Sequence, residues 1–261
     1  MDPTLITGEL SLYKKLKAYL TFYKEGCKQL YYNQKEAYAI RQRVKDGEKI
    51  SRKEFQLEHQ AQRDFWKMIP FGLLVMILPE SIPLFVAFIP TMAKMLEKRH
   101  AVCYKLHKEV VEVMSKKYDV TQGEFKTVSG VIRTFGRVPD LLDTSRLDRK
   151  LLETCLRFMG LSPLSLTPRL RSKLDAHLAY IDKDDQLLIE EGTSEIDRLD
   201  RNELIKACQE RAISPCGLSE QQMAVALRRW VEIRKHNRDV EPLALVWSRM
   251  ALMTHLPELD N

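Results

Sequence analysis

The chain has 261 residues, 30% of them charged and 44% hydrophobic, with a net charge of +6. This composition argues against a low-complexity chain and leaves room for one large or two small helical domains. Its five cysteines, Cys27, Cys103, Cys155, Cys208 and Cys216, are odd in number and form no CxxC pair, which argues for a reducing compartment and against a disulfide framework or a zinc site.

The amino end, MDPTLITGEL, has no basic stretch followed by an apolar core, so it does not read as a secretory signal, nor is it Arg- and Ser-rich like a typical transit peptide. Tyr13, Leu16, Leu20, Tyr23, Cys27 and Leu30 then recur at alternating spacings of three and four, extending through Ala37 and Val44. That spacing predicts one long amphipathic helix whose stripe forms a coiled-coil seam or packs on another part of the chain, the latter favoured, while its tyrosines also suit a membrane interface. Asp46-Gly47 turns the chain, and Ser51-Arg-Lys-Glu54 is a capping box that opens a second helix.

The second helix runs into Met68 to Ala93, MIPFGLLVMILPESIPLFVAFIPTMA, whose single ionisable side chain is Glu80 and which Lys67 and Lys94 bracket. Twenty-six residues at helical rise reach about 39 Å, enough to cross a hydrocarbon core of about 30 Å even when tilted. Pro70, Pro79, Pro83 and Pro90 would free backbone carbonyls that a plain anchor does not need. A re-entrant hairpin, or a hairpin of two short helices buried in a soluble protein, fits the same residues, with Pro79 to Pro83 as the turn. In a spanning segment Glu80 must face protein or water, as an ion or proton site or as a cap on the second half-helix. Residues 1 to 67 carry 14 basic and 9 acidic side chains and residues 94 to 180 carry 17 and 10, so the positive-inside rule gives no orientation.

Beyond Lys94 nearly every boundary signal is a helix start. Thr121-Gln-Gly-Glu124, Asp200-Arg-Asn-Glu203 and Ser219-Glu-Gln-Gln222 fit the capping box, and Ser162-Pro163 and Thr167-Pro168 place proline at a first helical position. No stretch alternates with period two, so an all-α fold is predicted, with a loop-rich region around 136 to 148. Asp182, Asp184, Asp185, Glu190 and Glu191 carry oxygen ligands suited to calcium, but an EF-hand loop opening at Asp182 would put Leu187 where glycine is required. The favoured reading is a solvated acidic helix end. The last structured stretch, Leu199 to Trp230, reads as a small helical hairpin about Gly217-Leu218, of a kind that binds DNA in SAP-type modules. There is no HExxH, P-loop, GxGxxG or GxSxG, so no enzyme, metal or cofactor is expected.

In order along the chain stand Gly47-Glu-Lys-Ile50-Ser51-Arg52-Lys53-Glu54-Phe55, the segment opening Pro70-Phe71 with later prolines at 79, 83 and 90, Asp184-Asp185 followed by Glu190-Glu191-Gly192, and Glu203-Leu204 through Ala207-Cys208 to Arg211 and Trp230. This order resembles the LETM family of mitochondrial inner-membrane proteins. The resemblance implies pre-membrane helices at 1–67, a single transmembrane segment at 68–93 and a 14-3-3-like helical ribosome-binding domain at 94–261 in the matrix. It further implies partnership with the mitochondrial ribosome and inner-membrane lipids, homo-oligomers as one arrangement, and support of potassium/proton or calcium/proton homeostasis. An antiporter proper with Glu80 in the ion path, and a soluble helical adaptor, are the alternatives. The basic surface of the distal domain suits phosphate-rich RNA, with Arg169, Arg171 and Lys173 as the first candidate contacts. The sequence departs from the family pattern after Pro90, where Thr-Met-Ala-Lys-Met replaces Asn-Met-Leu-Pro-Ser, and ends without a long coiled-coil tail.

Overall fold

The computed structural model of the chain describes residues 12–77, 92–237 and 240–253, and every regular element among them is helical. The chain divides into two compact units, Met1–Ile89 and Pro90–Asn261.

In the first unit, α1 (Leu12–Lys45) and α2 (Arg52–Ile77) form an antiparallel hairpin. Gly47, at φ +84°, makes the reversal that a Cβ-bearing residue resists. The Ser51 capping box is present: the Ser51 N–H donates to the Glu54 carboxylate at 2.8 Å, and the Glu54 N–H donates to Ser51 Oγ at 3.3 Å. Glu54 also pairs with Arg43 and Glu58 with Arg41, the latter at 2.6 Å, so the two helices are registered by charge as well as by apolar contact. The seam uses Ala37, Ile40 and Ala61, all buried. Val44, expected on the stripe, is 47% exposed: beside the turn the hairpin is held by Arg43 and Glu54, and the stripe ends at Ile40.

Of the apolar run at 68–93, α2 contains the first ten residues and α3 begins at Met92. Glu80 and the prolines at 79, 83 and 90 lie outside the described residues. Among those described, no helix is long and apolar enough to cross a membrane.

The second unit comprises α3 (Met92–Tyr118), α4 (Val128–Arg137), α5 (Arg149–Phe158), α6 (Thr167–Glu191), α7 (Arg201–Glu210), α8 (Glu220–His236) and α9 (Pro242–Leu252), with 3₁₀ turns at 122–125, 139–141 and 193–198. Its centre is α9, beyond the hairpin that the sequence reading took as the last structured stretch. Every residue from Leu243 to Ala251 is buried, as expected of a helix with neighbours on all sides. It packs against α3, α4, α5, α6 and the turn at 122–125. Trp247 donates its indole N–H to Leu141 O at 2.8 Å. The last carbonyls of α9 are taken from outside the helix, Met250 O by His107 Nδ1 at 2.7 Å and Ala251 O by Gln122 Nε2 at 2.9 Å.

The boundary signals held at Asp200 and Ser219, where both halves of each capping box form, and at Pro168 in the first turn of α6. Ser162-Pro163 does not start a helix. Instead α5 ends in a Schellman motif, with Gly160 at φ +73°, Leu161 N–H donating to Leu156 O at 2.7 Å and Gly160 N–H to Arg157 O at 3.1 Å. The following loop has its carbonyls bound by side chains. Lys173 Nζ donates to Ser162 O at 2.6 Å and Arg149 Nη2 to Ser165 O at 3.1 Å, and Pro163 lies in no regular element.

Candidate functional site

The acidic stretch of α6 is where the sequence motifs converge: Glu190 and Glu191 at its end are exposed, as a solvated helix end would be, but Asp184 and Asp185 are not solvated. Asp184 and Asp185 are fully buried, as is Arg211 at the end of α7. Arg211 Nη2 lies 2.7 Å from both Asp184 Oδ2 and Asp185 Oδ1, while its Nε donates to Asp185 Oδ1 at 3.0 Å and its Nη1 to Ala207 O at 3.1 Å. From α8, Trp230 donates its indole N–H to Asp185 Oδ2 at 2.8 Å. Arg234, also buried, pairs with Asp182 and lies 3.5 Å from Asp185. Burial alone would lower the pKa of Arg211, but the adjoining Asp185 and Asp184 carboxylates hold it above the ordinary value. Charges paired and hydrogen-bonded on every side can be buried, whereas a lone one could not.

The network argues against the calcium reading, because Asp184 and Asp185 are already occupied by a guanidinium and an indole. Among the described residues no group of three or more His, Cys, Asp or Glu is placed to hold a metal ion. The network instead clamps the α7–α8 hairpin onto α6. The same clamp engages Arg234 of α8, and Arg228 pairs with Asp197, so both of these guanidinium groups have carboxylate partners within the domain. Tyr180 and His177 add to it, with Tyr180 Oη donating to Glu210 Oε2 at 3.3 Å and His177 Nε2 at 3.0 Å from Glu210 O.

A second internal cation, Arg99 on α3, donates to Phe158 O at 2.7 Å and Gln209 O at 3.2 Å. These carbonyls close α5 and α7, so one guanidinium satisfies the negative ends of two helices. Burial lowers its pKa. A Cβ at Gly160 would stand 2.3 Å from Arg99 Nη1, so a larger residue there would displace the guanidinium, and at φ +73° it would also strain the backbone. The cavity alongside, lined by His100, Cys103 and Ser214 among others, measures about 10 Å³, room for one water. Sequence reasoning missed Arg99, because a single arginine in a basic helix carries no pattern. Gly160 just past a helix end was the available signal.

Of the three candidate ribosome contacts, Arg169 is exposed. Arg171 is half-buried and donates to Leu147 O at 3.4 Å, and Lys173 is half-buried against Ser162 O, with its pKa lowered by burial. Arg169 and Lys173, four residues apart, share a face of α6 that Arg171 does not, and two of the three serve as internal ties. More open positive charge lies along α3, where Lys98, Lys105 and Lys108 are exposed with Val102 and Tyr104, and Lys108 Nζ sits 5.2 Å from the Tyr104 ring centroid. A shallow groove of about 420 Å³ continues this face past Lys108, Val111 and Lys116. Burial pushes the Cys208 thiol up to about 11 and raises Cys155 and Cys103 as well, which favours the protonated thiol over the thiolate.

Fold and site together define a protein, all-helical among its described residues, in which a helical hairpin precedes a compact domain built around the buried helix α9 and an Asp-Asp-Arg-Trp clamp. The family model described as LETM1-like, RBD matches residues 88–252, more than half of the chain, and the chain belongs to this family. It is 25% identical over 245 residues to the mitochondrial proton/calcium exchanger protein of Drosophila melanogaster, covering 81% of this chain and 24% of that one. It is also 25% identical over 267 residues to the LETM1 domain-containing protein mdm28, mitochondrial, of Schizosaccharomyces pombe, covering 90% of this chain and 56% of that one. The chain therefore spans between a quarter and somewhat over half the length of these relatives. No solved structure matches it.

Proposed function

We propose that this chain is a non-enzymatic mitochondrial inner-membrane protein, anchored by residues 68–93, whose distal domain lies in the matrix and binds the mitochondrial ribosome in support of cation/proton homeostasis. The observation that carries this reading is the LETM1-like, RBD match, which falls on the second compact unit. Both named relatives are mitochondrial, and the 14-3-3-like description of the family's domain belongs to the same reading. Lys98, Lys105 and Lys108 beside Tyr104 supply cations for RNA phosphates and a ring for an unpaired base, and we place the ribosome contact there in preference to Arg171 and Lys173.

Anchoring is tested by topology. The chain should stay in the membrane pellet after carbonate treatment of mitochondria, and residues beyond Lys94 should resist protease in mitoplasts until detergent is added. Release into the carbonate supernatant would reject the anchor, and digestion in intact mitoplasts would reject the matrix placement.

A second reading is favoured by the printed name of the fly relative and by the lone carboxylate of the apolar run. In it the chain is itself the antiporter, with Glu80 in the ion path and homo-oligomers surrounding that path.

A further inference from the structure

The hairpin of the first unit points its open end at the apolar run. From the Arg43–Glu54 pair at the turn, nine residues back along α1 and seven on along α2, Gln34 donates to Ala61 O. The covered face of α1 continues past this tie, since Leu30 is half-buried while Lys28, Gln29, Tyr31 and Tyr32 around it are exposed. Cys27, Tyr23, Leu20, Leu16 and Tyr13 prolong the same spacing towards the start of α1, and α2 stays helical to Ile77. Antiparallel helices rise equally, so the part of α1 level with Met68 to Ile77 lies between about residues 27 and 18.

That pairing suits water and not a bilayer. Between Lys14 and Lys28, α1 carries Lys14, Lys15, Lys17, Lys24 and Lys28 against the single carboxylate of Glu25. Had α1 followed α2 into hydrocarbon, each lysine near mid-bilayer would cost about 3 kcal/mol. The apolar seam is favoured in water and loses its hydrophobic drive in lipid, so the two surroundings reverse the preference for pairing. Gly26 stands about level with Ile69, where parting would begin. A Cβ at Gly26 would meet nothing within 4 Å, so packing does not call for glycine there, and a glycine inside a helix weakens it by about 1 kcal/mol.

We infer that the amino-terminal part of α1 is a removable cover for the start of the anchor. Before insertion it packs on residues 68–77; in the bilayer it parts from them near Gly26, while the Arg43–Glu54 and Arg41–Glu58 pairs keep the turn end of the hairpin closed. The inference rests on the anchoring reading. It gives the apolar run a partner in water and leaves the lysines of α1 outside the hydrocarbon.

The test uses the full chain from cell-free synthesis, with Tyr23→Cys and Gly72→Cys joined by a reducible bismaleimide linker. Cys27→Ala and Cys216→Ala remove the competing thiols, and Cys103, Cys155 and Cys208 are buried. Given vesicles of zwitterionic and anionic phospholipid, the linked chain should be released by carbonate, and cutting the linker with reductant should restore resistance several-fold. Without the linker, Gly26→Ala should slow insertion by up to about fivefold; insertion as fast as the wild type would overturn the hinge at Gly26. If each cysteine takes up a monofunctional maleimide but no bridge forms, α1 does not cover the run. If linked and cut chains resist carbonate equally, the hairpin inserts closed. Either result overturns the inference while the anchor stands, whereas carbonate release of the unlinked wild type removes the anchoring reading and the inference with it.

Discussion

Arg211→Met should cost the distal domain about 3–5 kcal/mol, because it leaves Asp184 and Asp185 buried without their counter-charge. Against a whole-domain stability of about 5–15 kcal/mol that is a large fraction, and the helical signal of the full chain should be lost on heating about 10 °C or more below the wild type. The loss is one of compensation, not of attraction as such. Arg211→Met combined with Asp184→Leu and Asp185→Asn removes all three charges and retains an amide oxygen for the Trp230 indole, so the triple variant should recover most of the lost stability. An Arg211→Met chain that melts with the wild type would show that the clamp does not hold α6, α7 and α8 together.

Glu80→Gln should abolish cation/proton exchange if the chain is the antiporter, since the change removes the titrating group of the apolar run while nearly preserving its size. Exchange in reconstituted vesicles would fall to background while abundance and carbonate resistance persisted. A capping role gives the opposite pattern, because glutamine still forms hydrogen bonds: exchange would survive, or the protein would be lost altogether. Equal exchange by variant and wild type at matched abundance would remove Glu80 from the ion path and leave the ribosome-binding reading as the better one.

What the sequence disclosed, and what it hid, divides along the range of the interactions involved. Caps are decided within four residues, and Ser51, Asp200 and Ser219 stand where their spacing to Glu54, Glu203 and Gln222 placed them. The amphipathic hairpin was legible for the same reason, down to its turn at Gly47. The Asp184-Asp185 pair was misread as a solvated helix end because its partners are remote: Arg211 is 26 residues away and Trp230 is 45 away, and no local charge count registers them. Ordering the motifs along the chain did place those four residues in one series, without showing that they touch. Ser162-Pro163 misled for the reverse reason. The proline signal is local and genuine, but Lys173 and Arg149, neighbours through the fold, take the loop carbonyls. The central helix α9 was overlooked although its apolar run behind Pro242 was in view, because a short all-apolar segment has no face to reveal.

The claim that the distal domain is a ribosome-binding domain is tested most directly by co-sedimentation of the detergent-solubilised full chain with mitochondrial ribosomes over a range of salt. Binding should be strong at low salt and fall log-linearly as salt rises, with Lys105→Glu/Lys108→Glu weaker and shallower in its salt dependence by about two phosphate contacts. A wild-type chain that remains in the supernatant at the lowest salt would contradict the account.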